Sequence, residues 1–327
     1  MAKKKSSLPV TLRRLVQTAF LLLFLILFLE TAFHPSNKAG GYLTFFFDLD
    51  PLALIVVWLG GHAAATALLF SLITLAVTFV FGRWFCGWIC PFGAIHNLFS
   101  SWRGGSHKQK VVTGGYSLWQ TSKYYVLGAV LIAALCGTNI AGWFDPFSFL
   151  YRSMATAVFP AIDGAMEGFF GWINQLSPGF AGAVTEPVYR ALHYYLMTVS
   201  QPHFFWSMVT GSLFGLVVLL NLFRARFWCK YICPLGALLG VAGKNPLLRL
   251  VVDPSSCKNC KECVTECQGG ANPNGPGNWK PSECMYCWNC DKSCPSNSLS
   301  FKFMIPSSQL ATAPKKEQEL VGVQSDE

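Results

Sequence analysis

The sequence predicts a mainly α protein: a polytopic membrane helix bundle of about four spans with a two-fold internal repeat, followed by a small cysteine-rich α+β domain. Three observations predict it. Hydrophobic residues make up 52% of the 327 and charged residues only 13%, with a mean hydropathy of +0.39, far from the roughly 25% charge of a soluble domain. The basic residues behind the formal charge of +9 stand at the ends of apolar runs, the positive-inside pattern. No basic helix or aromatic RNA-binding motif accompanies them, so nucleic acid is excluded as a partner and membrane lipid is expected. The third observation is that most of the 13 cysteines crowd between Cys257 and Cys294.

Residues 1–14 carry Lys3, Lys4, Lys5, Arg13 and Arg14 and read as a basic cytoplasmic N-terminus. The apolar run from Leu15 to Phe33 is long enough for one span of about 20 residues. It is long for a signal peptide and no small-x-small cleavage site follows, so a retained first helix with its N-terminus inside is expected. A second span is expected over His62 to Phe81, with Leu52 to Leu59 in the outer interface; it stops at Arg83. The following loop, with Arg103, Lys108, Lys110 and Lys123, is basic and therefore cytoplasmic. A third span fits Tyr124 to Trp143. Asp145 to His203 has few basic residues and is punctuated at Pro160, Pro178-Gly179 and Pro187, which predicts short amphipathic helices on the outer membrane surface. Phe204 to Phe223 is the fourth span, closed by Arg224, Arg226 and Lys230.

Two halves of this membrane domain (residues 15–245) repeat, over 15–100 and 119–240. Arg83-Trp84-Phe85-Cys86-Gly87-Trp88-Ile89-Cys90-Pro91-Phe92-Gly93-Ala94 is echoed by Arg226-Phe227-Trp228-Cys229-Lys230-Tyr231-Ile232-Cys233-Pro234-Leu235-Gly236-Ala237. Phe47 to Leu52, with Asp50-Pro51, is echoed by Phe144-Asp145-Pro146-Phe147. Each half is expected to turn outside at its Asp-Pro and return to a Cys-x-x-x-Cys-Pro at the cytoplasmic surface. Halves running in the same sense have their symmetry axis along the membrane normal. Residues four apart share a helix face, so Cys86 with Cys90, and Cys229 with Cys233, offer paired thiols. Three readings stand: a joint metal or cluster site, two redox-active dithiols, or plain packing of a helix end.

Residues 246–304 hold Cys257, Cys260, Cys263 and Cys267, then Cys284, Cys287, Cys290 and Cys294 followed by Pro295. Three cysteines at Cys-x-x-Cys spacing wrap one face of an iron–sulfur cube, and in bacterial-type two-cluster 4Fe–4S ferredoxins the fourth ligates the other cluster. Two 4Fe–4S clusters follow: Cys257, Cys260, Cys263 and Cys294 for one, Cys284, Cys287, Cys290 and Cys267 for the other. A zinc ribbon uses two separated pairs, and disulfides do not suit a reducing cytoplasm. Gln268 stands where the second copy has proline, and Gly269 to Lys280 reads as a loop. Residues 305–327 are a polar tail.

The paired Cys-x-x-x-Cys-Pro motifs followed by this eight-cysteine segment resemble the NapH/NosR-like family of membrane 4Fe–4S ferredoxin-type proteins, over Leu15 to about Phe303. The resemblance implies electron transfer in a bacterial inner membrane, with the N-terminus and ferredoxin domain cytoplasmic, quinol oxidation, and ferredoxin-like or cytochrome partners. A large outer flavin-binding domain, a NosR feature, has no counterpart in this length. Readings from other classes are a metal-ion reductase, for which the paired cysteines are the candidate site, and a redox sensor or assembly factor for a metalloenzyme.

The remaining candidates read as structural. Asp50-Pro51 and Asp145-Pro146 set an N-cap before a first-turn proline, and a proton-accepting role at a quinol site is the rival. His62 and His96 have no spacing partner, and Cys136 reads as packing. No phosphate-binding glycine motif, catalytic triad or paired-carboxylate signature is present, which disfavours hydrolysis and nucleotide use.

Overall fold

The computed structural model describes residues 8–33, 40–61, 69–102, 104–176, 187–190 and 206–304. The described residues are mostly helical, with one two-stranded sheet. Helix α1 (Leu8–Phe33) runs for 26 residues, about 39 Å at 1.5 Å per residue. Its stretch Leu8–Thr31 is the one described helix long and apolar enough to cross a membrane, and Pro51–Gly61, Ser71–Phe81 and Ser207–Leu222 are shorter apolar helices. The predicted second span begins in residues 62–68, which lie outside the described residues. The third is interrupted. Its helix, Ser122–Leu135, ends before Gly137, which turns the chain at φ 75°, a conformation glycine adopts without steric penalty.

Helix α2 (Gly40–Asp48) and α3 (Pro51–Gly61) meet at Asp50, and α4 (Ser71–Phe81) leads into the first Cys-x-x-x-Cys-Pro. Phe24, Phe46, Leu52, Phe85, Phe147 and Leu235 belong to one core shared by both halves. Phe46, Phe47 and Phe85 all pack their rings on Phe147, with centroids 6.0–6.2 Å apart.

Asp50 and Asp145 are both buried in this core. Asp50 accepts from the Leu52 amide, and Asp145 from the Phe147 and Ser148 amides, so each caps its helix as predicted. Their remaining oxygens, Asp50 Oδ2 and Asp145 Oδ1, receive no donor, and the two carboxyl groups lie within hydrogen-bonding reach of each other. One expectation needs correction: among the described residues, the stretch Pro146–Leu176 is not a series of separate short helices. Pro146–Ser153 continues through a π-turn at Met154–Val158 into Phe159–Leu176. The wider turn accommodates Pro160, whose missing N–H and ring would clash in an α-helix interior. Tyr151 and Phe159 pack on Phe28 of α1.

At the C-terminal end, strands β1 (Leu248–Val252) and β2 (Leu299–Phe303) pair antiparallel, with Leu248 opposite Phe303 and Val252 opposite Leu299. The sheet closes the eight-cysteine segment into one unit. This unit rests on the helix ends: the Leu247 amide donates to the Val80 carbonyl and Phe81 packs on Phe303. The contact is close enough to demand glycine. A Cβ on Gly87 would lie 2.1 Å from the Met285 carbonyl oxygen, and one on Gly114 equally close to that of Val264.

Candidate metal centres

The two three-cysteine loops share one backbone pattern. In the first, the second and fourth residues after Cys257, Asn259 and Lys261, have φ of 50° and 61°; in the other, Tyr286 and Trp288, at the same offsets from Cys284, have φ of 48° and 54°. Alternation into the left-handed region turns successive amides toward the inside of the loop, forming an anion-binding concavity of the kind found at phosphate and iron–sulfur sites. Asparagine tolerates that conformation, but tyrosine and tryptophan do so only when their surroundings hold them. Tyr286 is held: it is fully buried and donates its hydroxyl to the Leu248 carbonyl at 2.7 Å.

The loops enclose two voids. Cys257, Cys260, Cys263 and Cys294 line one. Cys267, Cys284, Cys287 and Cys290 line the other. The fourth cysteine of each run thus lines the void of the other run. Pro273 lines both, so the voids are neighbours. Among the described residues, no three or more His, Cys, Asp or Glu side chains converge on a point that fits a single ion.

Electrostatics also ask for a cation. Burial, reinforced by Cys267, Cys294, Cys260 and Cys257, pushes the Cys263 thiol up to about 12. Burial raises Cys294 too, but hydrogen bonds from Ser298 and Ser296 outweigh it and hold that thiol below its usual range. Ionising all four thiols in so small a volume requires metal binding, with release of their protons.

The helix-end cysteines come together as the repeat implies. Cys86 lies in α5 (Trp84–Trp88) and Cys229 in the matching helix Phe227–Tyr231. Cys90 and Cys233 are the N-caps of α6 (Pro91–Ser101) and of Pro234–Ala242, each with proline in the first turn. The Gly236 amide donates to Cys233 Sγ at 3.2 Å, whereas Cys90 makes no such capping bond. In the repeated string Cys-Pro-x-Gly, proline occupies a turn needing no amide donor, and glycine lets another carbonyl approach. A Cβ on Gly93 would lie 2.7 Å from the Cys86 oxygen. All four cysteines are buried, and they are within electrostatic reach of one another.

Sequence reasoning missed the polar groups that join these parts. Arg83 and Arg226, read as topogenic charges, are fully buried and cross between the halves. Arg83 Nη2 donates to the Cys229 carbonyl at 3.2 Å and Arg226 Nη1 to the Cys86 carbonyl at 2.7 Å. Arg226 Nη1 also reaches Met285 Sδ at 3.4 Å. Glu283, one residue before Cys284, accepts from Arg83 at 3.3 Å, Lys123 at 2.5 Å and Tyr124 at 3.3 Å. Arg13, placed in the cytoplasmic N-terminus, lies inside α1 and bonds Gln17, Gln268 and Asn289. The signal available was the arginine three residues before the first cysteine in both repeats.

Of the remaining candidates, His96 Nδ1 pairs with Asn221 at 2.7 Å inside the core, a structural role. Cys136 is exposed at a helix end, away from the other twelve. His62 lies outside the described residues.

Comparison with known proteins gives a consistent picture. A family model described as a 4Fe-4S binding domain matches twice, at residues 63–108 and 206–251. A 4Fe-4S dicluster domain model matches residues 249–295. YccM of Escherichia coli (strain K12) is 26% identical over 255 residues, 75% of this chain and 57% of the relative. The regulatory protein NosR of Stutzerimonas stutzeri is 26% identical over 301 residues, covering 84% of this chain and 35% of NosR. The ferredoxin-type protein NapH of E. coli is 24% identical over 256 residues, 75% of this chain and 71% of NapH. The chain thus spans about half the length of YccM and about a third of NosR. No solved structure matches. The chain is thus similar to ferredoxin-type electron transport proteins such as NapH, NosR and MauN and carries matches to 4Fe–4S binding domains.

Proposed function

We propose that this protein is a multi-pass membrane electron-transfer protein that passes electrons between a quinol pool and a partner redox protein. Cys257, Cys260, Cys263 and Cys294 hold one 4Fe–4S cluster, and Cys284, Cys287, Cys290 and Cys267 the second. The observation that carries the reading is the crosswise division of eight cysteines between two adjoining voids under loops that alternate into the left-handed region. The residues present fit the group: four thiols line each void, under loops that alternate into the left-handed region. When bound, such clusters supply one-electron redox chemistry at potentials set by charge, hydrogen bonds and exposure.

The chain's own residues do the rest. Ser296 and Ser298 hydrogen-bond Cys294, and the Ala271 amide bonds Cys267 Sγ at 3.3 Å; both favour the ionised ligand. Trp279, Trp288 and Phe301 line the second void and give it an aromatic wall. Cys260 and the flanking Lys258 and Lys261 are exposed at the first, which makes that loop the side open to a soluble partner.

A four-span arrangement with both ends inside is supported by the apolar side chains left on the outside of the bundle, among them Ile26, Phe70, Ile73, Phe79, Ile132 and Met208. An unpartnered apolar belt of this kind marks a membrane face. A parallel two-fold repeat is supported by the reciprocal Arg83 and Arg226 bonds and the twice-matched family model.

The test is anaerobic purification of the full chain in lipid nanodiscs, iron counting, and rapid mixing with a reduced quinol analogue. About eight or more irons per chain and bleaching of visible absorbance by the quinol are expected. Fewer than about four irons, stoichiometric zinc, or no quinol-dependent bleaching in a fully loaded sample overturns the proposal.

A further inference from the structure

The insert Gly269 to Lys280, which reads in the sequence as a plain loop, is pinned along its length. The Lys280 amide donates to the Ala271 carbonyl at 2.8 Å. Asn278 Nδ2 donates to the Asn274 carbonyl at 2.8 Å, and Asn274 Nδ2 to Asn259 Oδ1 of the first cysteine loop, also at 2.8 Å. Lys280 lies over the Tyr116 ring, 4.1 Å from its centroid. These bonds fix where the insert puts its single aromatic side chain, Trp279. Trp279 packs against both small cores of the eight-cysteine unit and edge-on to Tyr286, with ring centroids 6.4 Å apart. It lines the second void together with Cys267, Cys284, Cys287 and Cys290.

The indole nitrogen is the unusual part. Trp279 Nε1 is shut off from solvent and meets no oxygen or nitrogen acceptor. Folded proteins rarely leave a buried donor unmade, because its lost hydration is not recovered. What it faces is sulfur. Burial pushes the Cys284 thiol up, and bonds from the Tyr286 amide and the Trp279 indole pull it the other way. The first void is walled differently. The insert lends it Pro273 and Asn274, and no indole lines it. There the Pro273 carbonyl accepts from Cys263 Sγ at 3.7 Å, and the Ser296 and Ser298 hydroxyls meet Cys294.

We propose that Trp279 donates its indole N–H to the Cys284 sulfur and thereby raises the reduction potential of the second cluster, and of that cluster alone. Reduction adds one negative charge, shared between the core and its ligand sulfurs, so a donor aimed at a ligand is worth more in the reduced state than in the oxidised one. Trp279 is a positioning residue: it acts through Cys284 and keeps its own proton. One electron enters from the quinol or partner protein of the electron-transfer reading, and no bond is made or broken. The inference deepens that reading and rests on its assignment of a cluster to Cys267, Cys284, Cys287 and Cys290.

The deciding experiment is an EPR redox titration of the full chain in nanodiscs, wild type against Trp279→Phe, which keeps a ring in the wall and removes the N–H. The second centre is identified as the one lost in Cys267→Ser. In Trp279→Phe it is expected to be about tenfold harder to reduce, a downward shift of about 59 mV for a one-electron couple, while the first centre keeps its wild-type potential. A second measurement does not depend on that variant. Pulsed EPR on reduced wild type, grown with tryptophan carrying heavy nitrogen in the indole, is expected to show a nitrogen hyperfine coupling on the second centre. The coupling is expected to persist in labelled Trp288→Phe, which removes the other indole lining the void. An unchanged second potential in Trp279→Phe, an equal shift of both centres, or no coupling in wild type overturns the inference. If Trp279→Phe fails to assemble the second centre, the coupling decides by itself. Wild type without any 4Fe–4S signal overturns the electron-transfer reading and this inference with it, whereas two intact signals without the coupling overturn this inference only.

Discussion

Glu283 ties the eight-cysteine unit to the helical bundle, and replacing it tests whether buried charge balance holds the two together. Its carboxylate takes Arg83 and Lys123 on one oxygen and Tyr124 on the other, with all three charged side chains 3% exposed or less. Glu283→Gln keeps the shape but leaves two buried cations with no carboxylate. Breaking a buried pair by removing one partner costs about 3–5 kcal/mol. Lys123→Met, by contrast, leaves the Arg83 to Glu283 pair intact and neutral, so its cost is smaller, about 1–2 kcal/mol from the unmade hydrogen bond. In the double variant one cation has gone with the carboxylate, so it is expected to be more stable than Glu283→Gln alone. The assay is urea titration in mild detergent, followed by tryptophan fluorescence and by visible cluster absorbance. Equal effects of the two single variants, or a double variant showing the simple sum of both, would refute the reasoning.

Other consequences can be checked on the same preparation. Cys294→Ser should remove about four irons and the more exposed ferredoxin signal, while Cys267→Ser removes the other; EPR showing that Cys267→Ser strips the Cys257 loop would reverse the crosswise assignment. Gly87→Ala forces apart backbone that would otherwise stand 2.1 Å from the new Cβ, costing about 1–3 kcal/mol. Limited proteolysis should then cut the segment after Val252 faster, and unchanged cleavage would count against the close seat. At the carboxyl pair, Asp50→Asn can still cap and can donate to Asp145, so its stability should stay within about 1 kcal/mol of wild type. Asp50→Ala strips the cap and should lose about 1–3 kcal/mol; similar melting of both variants would exclude the paired arrangement.

The sequence by itself determined the chemistry-bearing residues. Cysteine spacing is local, and a chain that places three cysteines two residues apart has few ways to use them, so the eight-cysteine segment and its two divisions could be read directly. The duplicated Cys-x-x-x-Cys-Pro string was equally legible, as were the aspartates as caps, because capping depends on adjacent residues. What the tertiary structure decided is everything that depends on one segment meeting another. Spacing could not show that Arg83 and Arg226 exchange carbonyls across the halves, since an arginine after an apolar run has the same signature whether it faces water or is buried. Nor could it show that Asp50 meets Asp145 in the core, that Arg13 clamps the eight-cysteine unit from within α1, or that Gly87 is glycine because Met285 presses on it. Those contacts join residues far apart in the chain, and the free energy that selects them, burial of paired charge and close packing, exists only once the helices are assembled.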